Sequence, residues 1–502
     1  MAENVTVNSD GSQTLQRGEA KPGGVLRVGL TAAAESLDPA GAVSVQSLIM
    51  RQIYDSLFVY DEQGNVQPEL AESMETTDDG TTWIMKLPSG VKFHDGTDFN
   101  SQAVVAHVTR VGAEGSLARS AGDVRQIDRM ETPDATTVQF TLKKANMTFP
   151  KIFVNAAVLS AGMIPSPTAV EKYGKEYGLN PVGVGQFKVK QFSAGGDVIL
   201  ERNPDYRIPG HPLLDGIHFV VAADTQSRLQ AVIAGDLDVG STQNGRDLAA
   251  ATEGGLVSTY QPDGTYYNML MNLEKAPFDN PTFRKAVAHA IDRQALVDIV
   301  FDGKATAMDG FFPPSNPYHI DSGFPQFDPE ASKRLVEEFK ASGGTPEFTL
   351  TVVATPDYQR MAQLIQQMLQ DAGITVELRM VDQPTSVTEG LSGNFQAQIR
   401  FIEVRAEVDQ NMRTQFYSTS RGNNGRKGDP RVDQILDELQ TKEGQEKKEE
   451  LYDELQTAMG EWTPQVPLVA HRLGWYLGPN VAVFPGNRPG GNDPDWRLVA
   501  HS

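Results

Sequence analysis

The sequence has no cysteine. No disulfide can therefore hold the fold, and no thiolate is available as a nucleophile or metal ligand. It also lacks any run of 18 apolar residues, so nothing in it reads as a membrane span. It is poor in positive charge, with 44 Lys and Arg against 65 Asp and Glu and a net charge of -21. That balance argues against nucleic acid as a partner and against direct basic attachment to anionic lipid. It leaves the ligand open, because a local cationic pocket can sit inside an acidic protein.

The usual signatures of chemistry are missing as well. The eight histidines form no HExxH or other metal-binding spacing. His94 and His107 are separated by a turn and a helix start. No GxSxG elbow occurs. GVGQF at 183–187 lacks the spacing and the following helix of a nucleotide loop, follows Pro181, and reads as a turn. Asp78 and Asp79 read as turn residues rather than a carboxylate pair. Neither a cofactor nor a metal is expected, and no enzymatic activity is.

What is present is an ordinary globular composition, with 39% hydrophobic residues, 46 Gly and 30 Pro in 502 residues. The length calls for two or three domains. Residues 1–23 read as a polar, flexible leader without a hydrophobic signal region. If the protein is exported, its signal segment, and with it any lipid-bearing cysteine, would precede Met1.

Along the chain, VLRVGL (25–30) reads as a strand and SVQSLIMRQIYDSL as an amphipathic helix. ELAESM (69–74) reads as a short helical piece, and TTDDG as a hairpin turn before the strand TTWIMKL. SQAVVAHVTRVG is a helix capped by Asn100 or Ser101. From 184 to 242 strands and one helix alternate, and from 330 to 403 helices and strands alternate again, as in α/β domains. RVDQILDELQ and KKEELYDELQTAMGEW are late amphipathic helices, and PQVPLVAHRLGWYLG is a buried strand. Between the two α/β stretches, Tyr267, Met269 and Met271 alternate with Asn268, Leu270 and Asn272, which suits a largely buried strand. Asn280 then caps a helix with Pro281 at its first position and Phe283, Val287 and Ile291 on one face. Aromatics and arginines interleave in FIEVRAEVDQNMRTQFY (401–417), RGNNGRK (421–427) and HRLGWYLG (471–478). Such loops in α/β domains border ligand crevices.

Several segments, in order and at consistent spacing, resemble the peptide/nickel/opine-binding family of solute-binding proteins of bacterial ABC importers, extracellular family 5. They are LAESMETTDDGTTWIMKLPSGVKFHDGTDFNSQAVVAHV, MIPSPTAVEKYG, NPVGVGQFKVKQF, AGDLDVG and MNLEKAPFDNPTFRKAVAHAIDR. The resemblance covers about residues 22–500 and implies an α/β, periplasmic-binding-protein-like fold. Two α/β lobes would be joined by a hinge near 260–266, with an extra small α+β domain. Domain I would comprise 24–54, 181–262 and 481–502, domain II 55–180, and domain III 263–480. The lobes would close over a small-molecule solute and dock on the permease domains of an ABC transporter. The location implied is periplasmic or cell-surface, with a lipid anchor among the expectations, and a monomer suits such a shuttle.

The chain departs from the family where peptide-binding members carry Gly-Trp-x-x-Asp, whose Asp grips the ligand's α-ammonium. Read onto QIRFIEVRAEVDQNM, the Trp position falls on Glu403 and the Asp position on Ala406. A shift of one residue places Arg405 there, which suits a carboxylate rather than an ammonium. The expected ligand is therefore a small polar or acidic organic solute. The candidate residues are Arg405, Glu403 and Asp409, with Phe401, Tyr417 and Trp475 as apolar or stacking walls. For Trp475, core packing is the competing assignment. Glu35 and Ser36 of ESLDPAG, and Tyr266 or Tyr267 beside the hinge, complete the set. Two other readings stand beside this one: an oligopeptide or dipeptide binder whose ammonium clamp is rebuilt from Glu403 or Asp409, and a ligand sensor or binding module without a transport role.

Overall fold

The computed structural model describes residues 4–502 except 8–12, 18, 42–46, 62–64, 117, 119, 155–160, 243, 317, 404–407, 421, 424 and 486–493. The chain divides into two compact units, the first made of 1–242, 247–261 and 473–502, the second of 243–246 and 262–472. The strands Val257–Met271 and Gln465–Leu477 each run from one unit into the other.

In the first unit the strand Val25–Leu30 lies between two parallel neighbours, Gly216–Val221 and Val239–Thr242. The hairpin Phe187–Phe192 and Val198–Arg202 extends the sheet on one side, and residues 474–477 pair with Val239–Thr242 on the other. The turn read at GVGQF is required by a close backbone approach. A Cβ on Gly183 would stand 2.1 Å from the Ile53 carbonyl oxygen, and one on Gly185 2.5 Å from the Ile53 carbonyl carbon. A second, antiparallel sheet runs in the order Ser73–Asp78, Thr82–Lys86, Thr137–Leu142, Ile127–Asp134. Its first turn forms as read. The Asp78 carboxylate accepts from the backbone N–H of Thr81 and Thr82 and from the Thr82 hydroxyl, and Gly80 takes φ 97°. The helix Ser101–Gly112 is capped by the Asn100 side chain.

Two readings need correction here. ELAESM is not helical: from Ser73 the chain is a strand, with Met74 opposite Met85 and Thr76 opposite Trp83. Cross-strand packing overrides the helix propensity of Glu, Leu and Ala. The flexible leader is in part a hairpin. Asn4–Val7 pairs with Gln13–Gln16, and Leu15 and Gln16 pair with Phe484 and Val483. Leu15 is fully buried in the core beside Phe484 and Trp496, and that burial is what holds a polar segment in place.

A charged cluster is enclosed in this unit. Asp55 accepts from Arg207 Nε at 2.7 Å and from the Tyr206 hydroxyl at 3.1 Å. Arg497 meets Glu69 at 3.0 Å and Asp495 at 2.5 Å. Burial raises the pKa of Asp55 in spite of its arginine.

The second unit holds the parallel pair Glu347–Val353 and Thr375–Val381, with Ala397–Glu403 parallel to the first of these and antiparallel to 265–271. The capped helix forms as expected. It spans Pro281–Ala290, and the Asn280 side chain accepts from the N–H of Thr282 and Phe283. Phe283, Val287 and Ile291 are fully buried. Asp292 and Arg293 have their own tasks. Asp292 caps the next helix, Arg293–Val300. The Arg293 guanidinium donates to the carbonyls of Pro467 and Pro325, and burial pushes its pKa down to about 10. Arg284 likewise ties its helix to the carbonyls of Trp462 and Thr463.

Replacing Arg207 by Met would leave the buried Asp55 carboxylate without its cation. The expected loss of stability is about 3–5 kcal/mol, read as a lower urea midpoint. A loss below about 1 kcal/mol would mean that the pair behaves as an exposed one.

Candidate ligand-binding site

The period-two alternation of a strand decides what each side of the second unit's sheet carries. On one side Tyr267, Met269 and Met271 lie opposite Phe401, Ile399 and Ala397, and all but Phe401, which packs against it, are buried in the large apolar core. At one end of this core Tyr267 stacks on His471 with ring centres 4.9 Å apart and planes 11° apart. Phe301 lies 5.8 Å from Tyr267, Tyr358 5.0 Å and Phe401 6.2 Å.

The other side is mixed, with an apolar cluster of Tyr266, Met308 and Ala470 packed by Ile402 next to polar side chains. Here Tyr266, Asn268 and Leu270 lie opposite Ile402, Arg400 and Gln398. Asn268 and Gln398 are completely buried, and Tyr266 is 2% exposed. Burial pushes the Tyr266 phenol up to about 12, and the side chains of Asn268 and Gln415 stand beside its hydroxyl. Among the described residues, neither that hydroxyl nor either polar atom of the Asn268 amide has a partner at full hydrogen-bonding geometry. Arg400 is half-buried, and desolvation lowers its pKa. Tyr358, bonded to the Phe401 backbone, is its polar neighbour.

The expected site residues fall in several places. Arg405 lies outside the described residues, as does Ala406. Glu403 ends the strand Ala397–Glu403 opposite Thr265. Asp409 is buried in the helix Val408–Phe416 and bonded to Tyr452, whose hydroxyl is kept from ionising first by burial and then by that carboxylate. Tyr417 lies under the Arg413 guanidinium, 3.8 Å from ring centre to cation, and its hydroxyl bonds to Asp437. Phe401 belongs to the aromatic group around Tyr267. Trp475 packs in the first unit's core, 5.6 Å from Phe484 and 6.0 Å from Trp496. Its bulk serves packing, the competing assignment made above. Glu35 and Ser36 are exposed, on a loop held by Asp38, which binds the Arg110 guanidinium at 2.9 and 2.7 Å, and by the Tyr54 hydroxyl bonded to Leu37 O. Sequence reasoning passed over Arg400 and Asn268. The available signal was a polar residue at alternate positions of two strands otherwise rich in Met, Ile and Phe.

A search against protein-family descriptions matches residues 65–424 to bacterial extracellular solute-binding proteins, family 5 Middle. The chain belongs to this family. Among curated relatives, the glutathione-binding protein GsiB of Shigella boydii serotype 4 is 32% identical over 352 residues, which are 69% of this chain and 67% of that protein. GsiB of Escherichia coli K12 is 31% identical over 360 residues, with the same coverage. Among solved structures, the oligopeptide-binding protein AppA of Bacillus subtilis, in complex with a nonapeptide, covers 96% of this chain and all of its own, with TM-score 0.83 and 21% identity. AgaA from A. tumefacien R10, in complex with agropinic acid, covers 95% of this chain and 98% of its own, with TM-score 0.81 and 24% identity.

The expected periplasmic-binding-protein-like α/β fold thus holds. As a family 5 protein the chain is an extracytoplasmic solute-binding component of an ABC importer, not an enzyme, and its partners are a small solute or peptide and the importer's permease. Among the described residues no cluster of His, Cys, Asp and Glu could hold a metal ion, and no helix is long and apolar enough to cross a membrane.

His94 illustrates a histidine used for structure. Its Nε2 lies 2.9 Å from the Gly185 carbonyl, so Nε2–H donates there. Burial pulls its pKa from 6.5 to about 4. Because the folded value lies below the unfolded one, the unfolded chain takes the proton first. Stability is full above pH 6.5, falls as pH drops toward about 4, and levels off below. The loss is at most ~3 kcal/mol, reduced by screening because the ring is only part-buried. His94→Gln should flatten the stability profile through that window in urea titrations. An unchanged profile would place the acid sensitivity elsewhere.

Proposed function

We propose that the solute is small and carries a carboxylate, and that the Arg400 guanidinium receives it. What supports this reading is a cation drawn largely out of water on the polar side of the second unit's sheet, where desolvation already disfavours its charge. A carboxylate accepting two parallel hydrogen bonds is the natural counterpart of such a group. Glutathione, the ligand in the name of the GsiB relatives, bears two carboxylates. Agropinic acid, in the complex of a structural neighbour, is an acid too. Arg405 remains a second candidate for the same charge. Glu35 and Ser36 are proposed to touch the ligand from the first unit's exposed loop, and Tyr266, on the side of Arg400, to flank it, whereas Phe401 leaves the sheet on the opposite side and Tyr417 is engaged by Arg413 and Asp437. Less in favour of the peptide alternative is that Asp409, one of its two clamp carboxylates, is buried against Tyr452. Glu403 is its other clamp candidate.

Capture is proposed to work by closure about the strands Val257–Met271 and Gln465–Leu477, with the chain divided into domains at 24–54, 181–262 and 481–502, at 55–180, and at 263–480. A monomer and a lipid anchor complete the proposal. A sensor role without transport would show as a gene lacking neighbouring permease and ATPase genes.

Arg400→Ala should weaken binding of the cognate acid by about 2–5 kcal/mol, some thirtyfold to several thousandfold, in titration calorimetry, with Arg405→Ala run beside it. Unchanged affinity in Arg400→Ala would remove Arg400 from the site. Loss in Arg405→Ala alone would move the carboxylate to that residue.

A further inference from the structure

On the first unit's loop two exposed residues, Glu35 and Ser36, stand between two fully buried ones, Ala34 and Leu37. Backbone bonds fix both buried residues. The Gly195 N–H donates to the Ala34 carbonyl at 3.0 Å, and the Leu37 N–H to the Gly178 carbonyl at 2.8 Å. A chain of hydrogen bonds reaches Leu37 from the other side. The Val182 N–H donates to the Tyr177 hydroxyl at 3.1 Å, that hydroxyl lies 2.9 Å from the Tyr54 hydroxyl, and Tyr54 donates to the Leu37 carbonyl at 3.0 Å. Next in the chain, the Asp38 carboxylate takes both terminal nitrogens of Arg110, at 2.9 and 2.7 Å, and accepts from the Ala40 N–H at 2.9 Å. The guanidinium lies 5.5 Å from the Tyr177 ring centre. Packing here is tight enough that a Cβ on Gly178 would overlap the Ser36 hydroxyl oxygen. An ion pair whose side chains are 27% and 23% exposed adds little to stability. What a guanidinium holding a carboxylate by two parallel bonds does add is a fixed geometry. Arg110, Tyr177 and Gly178 come from residues 101–179, and the helix of Arg110, Ser101–Gly112, packs on Ile127–Asp134 and Thr137–Leu142 of the four-stranded antiparallel sheet.

We infer that Arg110 is a positioning residue for solute capture, which through Asp38 holds Glu35 and Ser36 in the conformation that meets the solute. The helix and antiparallel sheet that carry Arg110 thereby serve capture, although no group of theirs touches the solute. This rests on the reading that Glu35 and Ser36 contact the solute. A loop ordered before the solute arrives loses little further freedom on binding, so affinity is gained without a new contact. The Asp38 carboxylate, engaged by Arg110 and the Ala40 N–H, is part of the support and not a solute contact.

The test uses the full chain, stripped of bound solute, as wild type, Arg110→Met, Asp38→Asn, the loop variant Glu35→Ala with Ser36→Ala, and the loop variant combined with each of the first two. Each is titrated calorimetrically with glutathione and with agropinic acid, and amide hydrogen exchange is followed without solute. Arg110→Met should speed exchange in residues 34–41 by about tenfold while the strand Val25–Leu30 exchanges as in wild type. It should weaken binding of the tighter probe by about tenfold. In the loop variant, which itself binds more weakly, the same change should cost no more than about twofold, since the loop then has nothing left to present. A merely structural role would instead leave affinity unchanged or add the same loss in both backgrounds. Should Arg110→Met fail to fold, Asp38→Asn, which keeps the shape and removes the charge, is expected to give the same pattern. The inference is overturned if the folded variants keep wild-type affinity or wild-type exchange in 34–41, or if the losses add in full. If the loop variant loses affinity while Arg110→Met and Asp38→Asn do not, the reading of Glu35 and Ser36 stands and this inference alone fails. If the loop variant binds as wild type does, or if neither probe binds wild type, both fail.

Discussion

The alternation of side chains along residues 266–271 governs the second unit. Tyr267, Met269 and Met271 must enter the apolar core, because moving the strand by one residue would place Asn268 there instead. The same geometry obliges Tyr266, Asn268 and Leu270 to the opposite side, against Arg400 and Gln398 on the neighbouring strand. The register that secures the core therefore also sets an amide and a guanidinium side by side. Neither arrangement can be altered without disturbing the other, and the buried cations Arg284 and Arg293 fix the helices that follow the strand to the chain's later segments. This is how a binding protein can hold polar groups in a rigid place without any catalytic machinery.

Charge is handled differently in the two units. In the first, Asp55, Glu69, Arg207, Arg497 and Asp495 satisfy one another inside the fold, a structural use of ion pairs whose worth lies in not breaking them. In the second, Arg284 and Arg293 donate to backbone carbonyls, with Asp279 acting on the first and Asp309 and Asp292 on the second from further off, and Arg400 sits at a strand position opposite Asn268 and near Tyr358. An acidic protein with a net charge of -21 can thus keep buried cations in place, and local geometry outweighs the global balance over a distance of a few ångström.

Much of the architecture was legible in the sequence. The strand Val25–Leu30, the Asn100 and Asn280 caps and the Asp78 turn follow from local chemistry that tertiary packing does not contradict. ELAESM misled because the partner strand, with Met85 and Trp83, lies beyond the window that local propensity can see. The leader misled because Leu15 finds its burial against Phe484, more than four hundred residues away. The site was less legible for a related reason. Of the residues expected at the site, Tyr417 is engaged by Arg413 and Asp437, and Trp475 by Phe484 and Trp496, contacts between positions that local sequence does not bring together. The side-by-side placement of Arg400 and Asn268 comes from the register of two strands separated by more than a hundred residues, which a linear reading does not contain.

The account stands on the claim that the solute is an organic acid received by the polar side of the second unit's sheet. The measurement that tests it most directly is a thermal-shift screen of the ligand-stripped protein against carboxylate-bearing solutes, neutral oligosaccharides, and peptide amides that have a free ammonium but no carboxylate. A ligand that binds the native state raises its apparent stability by mass action. The account predicts upward shifts with members of the acid group and none with the other two. A shift from neutral sugars or peptide amides, with the acids silent, would contradict it.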